Sequence, residues 1–488
     1  MIKIKKKKEI IFVLFLSILF AVTVQQFPFY KGNSLHLLHA IKNMEFNKLQ
    51  YDWIANQTNH LPLFTYFNYF LIKYFSINIL YLLHFILLTV CPFFLFLTCK
   101  NQFSNLKNNY LSIIWFSFFI LIYHEHSFFG GVAGQDVINE GYQPASFGVL
   151  FYTSIYLFLI KKEFFAIFFI CLAASFHPTY VLHSGLLIVG IALYFFLNNE
   201  YKKMFKILLL YSIMILPITI YIIQNFLLIE KEIILEGQII FLDRIPHHAL
   251  ISNWFSYKDI FSVLLYFVSL NLIDKKNRLF IPFLVFGFSS LFLSIVQFFL
   301  ENNTLALAFP WRSSVILVPL SAMIVSSFLI NKFFINRFNI KITSIILFSI
   351  VSIFFFTKNH FIKDLNKEFY TKLELTKKIN KEFNSIERIL IPVNLTYIRM
   401  NTGLPIFVDW KHHAFKYDEI INWKKRMDLA KNFFTSNDYN EQKVNLTKII
   451  EIEKISHILI KKQNLNNDCE NLINDDIYAL INVQECYF

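Results

Sequence analysis

A chain of 488 residues with 56% hydrophobic content, 60 phenylalanines and a mean hydropathy of +0.49 carries more apolar surface than a soluble core can hide. An ordinary globular protein is excluded, and a multi-span membrane protein is expected. The net charge of +13 would suit nucleic acid in a soluble protein, but much of the Lys and Arg falls in short connections between apolar runs, where it orients spans against anionic lipid. Membrane lipid is therefore the expected partner, with no nucleic acid.

Met1 to Lys8 is basic and precedes an apolar run, Ile10 to Val24, that imitates a secretory signal. No small-x-small cleavage site follows, so the run reads as an uncleaved first span. Taken to Phe27, it is the first of about 11 apolar runs. The others are Ser76 to Thr98, Tyr110 to Tyr123, Phe147 to Ile160, Phe164 to Phe176, Tyr180 to Leu197, Phe205 to Ile229, Ile260 to Ile273, Leu279 to Leu300, Phe309 to Ile330 and Ile342 to Phe356. Leu61 to Phe75 is apolar but brief, opens with Pro62 and carries Lys73. Counting it as a span would reverse every later loop, so it reads as an interfacial or re-entrant helix.

The connections alternate in chemistry. Ile2 to Lys8, Lys100 to Lys107, Lys161-Lys162, Lys202 to Lys206, Asp274 to Arg278 and Lys332 to Lys341 are basic and are expected inside the cell. The outer loops 28–75, 124–146 and 230–257 hold the groups able to do acid–base or anion chemistry. Ionisable groups beside a membrane are costly unless used, so the outer face is the expected place of action.

In the first outer loop, Asp52 beside Trp53 is placed to act as a general base toward an acceptor hydroxyl, if burial raises its pKa. The second runs His124-Glu125-His126, Gly130-Gly131, Gly134-Gln135-Asp136, Glu140 and Tyr142-Gln143-Pro144; four of the chain's 11 glycines bend its backbone there. His124 and His126 would need a third ligand such as Asp136, Glu140 or His177 to hold a divalent metal. There is no H-E-x-x-H, and no cofactor is expected. His177-Pro178 ends a span at its outer edge. Phe309-Pro310-Trp311-Arg312 opens the tenth span, where a planar guanidinium suits a lipid phosphate. Arg244 and His247-His248 are available to the same anion.

Beyond the last span, residues 358–386 have apolar positions at a helical period and read as an amphipathic connector. Residues 387–488 read as a small α/β domain, outside the cell by the odd span count. Its expected strands are Arg388 to Val393, Ile406 to Val408, Ile455 to Ile460 and Ile477 to Val483, with helices near Asp418 to Phe434 and Glu441 to Ile450. Cys469 and Cys486 are available for a disulfide there; Cys91, Cys99 and Cys171 read as packing residues. The fold class expected is an α-helical polytopic membrane bundle (residues 1–357) with a small C-terminal extracytoplasmic α/β domain, in a cell membrane with the N-terminus cytoplasmic.

The residues Asp52-Trp53 with His60-x-Pro62, Ala133-Gly134-Gln135 with Tyr142-Gln143-Pro144, His177-Pro178-Thr179-Tyr180, and Thr402-Gly403-x-Pro405 through Asp409-Trp410-Lys411 to Trp423 and Arg426 give the chain a resemblance. It resembles the GT-C superfamily of membrane glycosyltransferases, and more narrowly an uncharacterised bacterial GT-C-like group. The resemblance implies sugar transfer from a polyprenyl-phosphate or polyprenyl-pyrophosphate donor to a glycan or protein acceptor on the outer face. It implies Asp52 as base and Arg312, Arg244, His247 and His248 at the phosphate. The loop of His124, His126, Gln135, Asp136 and Gln143 shapes the pocket with His177, while Asp409, Trp410, Lys411 and Arg426 orient the acceptor or brace the tail. Many such enzymes have two nearby acids in the first outer loop, whereas here Asp52 is followed by Trp53 and the nearest acid is Glu45. A transporter or flippase of lipid-linked or small solutes, or a non-catalytic component of envelope-glycan assembly, is the alternative.

Overall fold

The computed structural model describes residues 2–25, 34–44, 48–103, 106, 110–125, 130–138, 141–334, 349, 373–382, 388–465, 469–473 and 475–488. In chain order the helices are α1 (Ile2–Val24), α2 (Ser34–Ile41), α3 (Pro62–Phe75), α4 (Ile79–Gln102), α5 (Tyr110–Glu125), α6 (Val149–Leu159), α7 (Glu163–Phe176), α8 (Tyr180–Leu197), α9 (Tyr201–Ile222) and α10 (Lys231–Arg244). Two single turns, α11 (Pro246–Ala249) and α12 (Ile251–Trp254), lead into α13 (Tyr257–Leu272), α14 (Phe280–Leu300), the short α15 (Asn303–Leu307) and α16 (Ser314–Leu329).

Every expected apolar run within the described residues is helical; Ile342 to Phe356, apart from residue 349, lies outside them, as does most of the 358–386 connector. Five segments are long and apolar enough to cross a membrane: Ile79–Gln102, Tyr180–Leu197, Tyr201–Leu227, Phe280–Leu300 and Asn303–Phe333. Helices α5, α6 and α7 are apolar but shorter, with 16, 11 and 14 residues. The chain is thus a multi-pass helical bundle, but five helices rather than 11 meet the length a crossing requires among the described residues. Helix α3 has 14 residues, about 21 Å at 1.5 Å per residue, too short for a bilayer core of about 30 Å.

Without water to compete, packing and interhelical hydrogen bonds hold such bundles together. The Tyr152 hydroxyl donates to the Val315 carbonyl at 3.0 Å, and Ser269 donates to Ser321 at 2.9 Å. Gly190 lets α8 lie against Pro282 of α14, since a Cβ there would sit 2.8 Å from the Pro282 Cα. At one end Lys100 binds Glu9 at 2.5 Å, Arg278 binds Glu163 at 2.8 Å, and Gln102 binds Asn277 at 2.9 Å. Four of the connections at these ends therefore meet at a single end of the bundle. Running away from Glu163, α7 delivers His177 to the opposite end.

There the C-terminal unit sits. It holds a helix over 373–382 (α17), α18 (Ile398–Thr402), α19 (Tyr417–Thr435), α20 (Tyr439–Ile452) and α21 (Val483–Tyr487) around a three-stranded sheet. Strand β1 (Ile389–Leu390) pairs parallel with β2 (His457–Lys461), which pairs antiparallel with β3 (Tyr478–Asn482). The expected strand at Ile406 to Val408 is reduced to a bridge with Ile389. The reason is tertiary: Ile389 bonds to Pro405 and Phe407 on either side, while the Ile406 N–H donates to Asp52 and its carbonyl accepts from Arg399, so neither is available to a further strand. Cys469 and Cys486 form a disulfide with Cα atoms 5.2 Å apart.

Candidate functional site

Two groups of polar side chains occupy the end of the bundle that carries His177, and they differ in how their charges are satisfied. The first is a buried hub between residues 48–60 and the C-terminal unit. Asp52 is fully buried, and its carboxylate accepts from the Ala55 N–H at 3.0 Å, the Ile406 N–H at 2.9 Å and the Arg399 guanidinium. Arg399 also donates through Nε to Asp409 at 2.9 Å. The other Asp409 oxygen accepts the backbone N–H groups of Lys411 and His412, both at 2.9 Å. Burial alone would push Asp409 up, but His412 and Arg399 outweigh it and hold the carboxyl well below the usual carboxylate range.

This geometry changes the part Asp52 was expected to play. A general base must present a lone pair to an incoming hydroxyl. Asp52 instead spends its oxygens on a guanidinium and two backbone amides, with no surface open to an acceptor. Arg426, expected to orient or brace, lies 4.2 Å from the Trp53 ring centroid and binds Glu453 at 2.5 Å. Glu419 adds a further clasp by accepting from the Thr58 N–H and hydroxyl at 3.0 and 2.6 Å. The hub is a joint.

The second group surrounds Arg312. Phe309, at φ +50°, adopts a left-handed conformation that a non-glycine residue rarely takes, and this turns Pro310–Ser313 inward. His183, one turn into α8, supports the bend with ring nitrogens 2.9 and 3.1 Å from the Thr179 and Phe309 carbonyl oxygens. From that turn Arg312 donates through Nε to Gln135 Oε1 at 2.9 Å and through Nη1 to Thr179 Oγ1 at 2.6 Å. His177 Nε2 lies 3.3 Å from Nη1, and the guanidinium stands 4.9 Å from the Phe309 ring centroid. All these partners are neutral. Among the described residues no carboxylate pairs with Arg312, whose hydrogen bonds to them run through Nε and Nη1.

Imidazoles complete the recess. His36 of α2 and His60 have ring centroids 5.8 Å apart, and His60 stacks on Phe415 at 3.3 Å. Both His60 ring nitrogens and His36 Nδ1 are shielded from solvent without a hydrogen-bond partner. Burial, then the charges of Lys411 and Arg312 among others, lowers His36 to about 3; burial and neighbouring histidines push His60 well below its usual value. His177, His248 and His413 are likewise lowered, first by burial, the latter two to about 4. At neutral pH these rings are uncharged hydrogen-bonding groups, and the positive charge resides on Arg312, Lys411 and Arg244.

Asp136 follows the Gln135 that holds Arg312, and its carboxylate lies against Gly130, where a Cβ would come 2.1 Å from Oδ1. Tyr180 interacts electrostatically with both Asp136 and Arg312. Burial pushes Asp136 up to about 6, and no described residue pairs with it.

The remaining expected residues divide. His248 donates through Nδ1 to the Ala133 carbonyl at 2.8 Å, while its own carbonyl takes the Trp311 indole N–H at 3.0 Å, which seats it beside Arg312. Arg244 donates to the Trp410 carbonyl at 3.0 Å and stacks 4.2 Å from that ring's centroid. His247 is exposed against His248, and Gln143 sits at the entry to the turn Pro144–Gly148. His124 packs edge-on against Phe20 of α1, whereas His126, Glu140 and Glu45 lie outside the described residues. Among the described residues no three His, Cys, Asp or Glu side chains converge as a metal ion would require.

An apolar groove opens beside the recess. Its cavity of about 320 Å³ is lined by Trp254, Tyr266, Phe298, Leu317 and, from the turn that carries Arg312, Trp311 and Ser313.

A family model described as a domain of unknown function (DUF6798) matches residues 372–430. That segment supplies Arg399, Asp409, Lys411, His412, His413 and Arg426 to the two groups, while Glu453, which binds Arg426, lies beyond it. No curated protein matches the chain.

Proposed function

We propose that the protein is an outer-face membrane glycosyltransferase that takes a sugar from a polyprenyl-phosphate-type donor and delivers it to a glycan or protein acceptor. One juxtaposition carries this reading: a guanidinium that no carboxylate among the described residues pairs with, Arg312, in the same turn as two walls of an apolar groove, Trp311 and Ser313. A cation held by neutral groups in a poorly hydrated recess lacks only an anion. A groove of that lining suits an isoprenoid chain, and the two together fit a lipid phosphate.

The chemistry then distributes as follows. An acceptor hydroxyl oxygen attacks the anomeric carbon, the bond from that carbon to the phosphate oxygen breaks, and the leaving lipid phosphate gains negative charge. Arg312 stabilises that charge where it develops. Asp136, with a carboxyl raised to about 6, accepts the hydroxyl proton at neutral pH. Tyr180, His177 and Gln135 orient the recess. In this reading the basic end of the bundle faces the cytoplasm, the C-terminal unit lies outside, and shorter apolar helices cross beside the five long ones toward a count of about 11.

The test is sugar transfer by the full-length protein in lipid vesicles, with a polyprenyl-phosphate-linked sugar as donor and cell-envelope glycan as acceptor. Transfer by the wild type and its loss in Arg312→Met, with unchanged thermal unfolding, supports the reading. Movement of the intact lipid between leaflets, with no glycan product, would favour a flippase.

A further inference from the structure

The recess offers two separated cations rather than one. Arg312 forms one pole. The other is Lys411, half-buried, whose ammonium makes no hydrogen bond to a described residue, and beside it Arg244. The segment between Arg244 and His248 stitches the poles into one wall: Arg244 is bonded to the Trp410 carbonyl next to Lys411, and four residues later His248 is bonded to Trp311 next to Arg312. His36 and His248 each feel both Arg312 and Lys411. Asp409 is the carboxylate that acts on Lys411 and Arg244, but its oxygens are spent on Arg399 and on backbone amides. Further buried polar atoms of the recess lack partners. Gln135, only 6% exposed, has an unpartnered Nε2, and Arg244 Nε and both nitrogens of His60 are shielded and unpartnered.

The charge on the donor discriminates between two linkages. A sugar joined to its lipid through one phosphate carries one negative charge, and one joined through pyrophosphate carries two on adjacent groups. A single phosphate on Arg312 would leave Lys411 and Arg244 uncompensated beside it, an unfavourable arrangement in a recess of low polarity. Resting on the transferase reading above, we infer that the recess is built for a lipid pyrophosphate, with Arg312 and Lys411 each taking one phosphate group. The sugar-bearing phosphate lies at Arg312, nearer Asp136, and the lipid-bearing phosphate at Lys411.

The experiment compares two lipids with the same isoprenoid chain, one ending in monophosphate and one in pyrophosphate, binding to the full-length protein in nanodiscs. Fluorescence of the tryptophans around the recess provides the readout. The pyrophosphate lipid is expected to bind at least about tenfold more tightly, the size of one charge-assisted hydrogen bond. Lys411→Met should remove that preference and leave monophosphate binding in place, Lys411→Arg should retain it, and Arg312→Met should weaken both lipids. Equal affinity of the wild type for the two lipids, or a preference that survives Lys411→Met, overturns the inference while the transferase reading stands. Binding of neither lipid overturns both. Should Lys411→Met fail to fold, competition on the wild type decides: inorganic pyrophosphate must displace the bound lipid at lower concentration than inorganic phosphate.

Discussion

Arg278, Arg388, Arg399 and Arg426 are each paired with a carboxylate, whereas Arg312 is held by Gln135, Thr179 and His177. Those partners fix the direction of its guanidinium without cancelling its charge. Arg312→Lys keeps the charge but loses the planar fork, so transfer is expected to fall by about two orders of magnitude. Unfolding in detergent should shift by only about 1 kcal/mol, the scale of one neutral hydrogen bond. Asp136 gives a pH test. Its raised carboxyl is protonated below about 6 and charged above, so a rate dependent on it as base should climb through pH 6 and level off. Asp136→Asn should abolish transfer with no loss of thermal stability, because the substitution removes a charge that burial disfavours. Retained activity in Asp136→Asn would move the base elsewhere. Arg312 was legible in the sequence because a cation at the start of an apolar run is conspicuous. Arg399 was not, since a lone Arg in a tail of mixed charge gives no sign that it reaches a carboxylate 347 residues earlier.

At the scale of elements, the joint between residues 48–60 and the C-terminal unit governs the outer end. Arg399→Met strands two buried carboxylates, and Asp52→Asn leaves Arg399 with one carboxylate in place of two. Breaking a buried pair from one side costs about 3–5 kcal/mol, so both variants should unfold at lower temperature, with Arg399→Met the more severe. The pH dependence follows from Asp409. Its carboxyl is depressed in the folded protein, so the stability it contributes is complete above the unfolded value of about 3.9 and is lost as pH falls below that. Tryptophan fluorescence from Trp53 and Trp423 should therefore hold steady from pH 7 to about 4 and change below it. Reduction of Cys469–Cys486, which are 17 residues apart, should lower stability by about 3 kcal/mol. The sheet and helices of this unit were legible from β-branched runs and helical periods. The exception at Ile406 failed because its backbone groups serve Asp52 and Arg399, a tertiary demand that local sequence does not carry.

Over the whole molecule, the Lys100–Glu9 and Arg278–Glu163 pairs and the Gln102–Asn277 contact tie basic connections together at one end, and the recess lies at the other beside the Asp52–Arg399–Asp409 hub. The apolar runs were legible as helices, while their number as full crossings was not, because length in sequence does not show how short helices such as α6 and α7 are shielded. Single cysteines in a background free of Cys91, Cys99 and Cys171 can test orientation in intact cells. A cysteine at Lys275 should resist a membrane-impermeant thiol reagent, and one at Tyr257 should react with it. The reverse pattern would invert the molecule and place the recess in the cytoplasm.

The Asp52–Arg399 contact also has a consequence in time. Residues 48–60 are synthesised early, yet the guanidinium that satisfies their buried carboxylate is made 347 residues later. Until then the segment cannot close around Asp52 without stranding a charge, so this end of the bundle must stay open through most of translation. Chains halted before residue 399 should thus present an unfinished face there, open to proteases and chaperones, however well their helices have inserted.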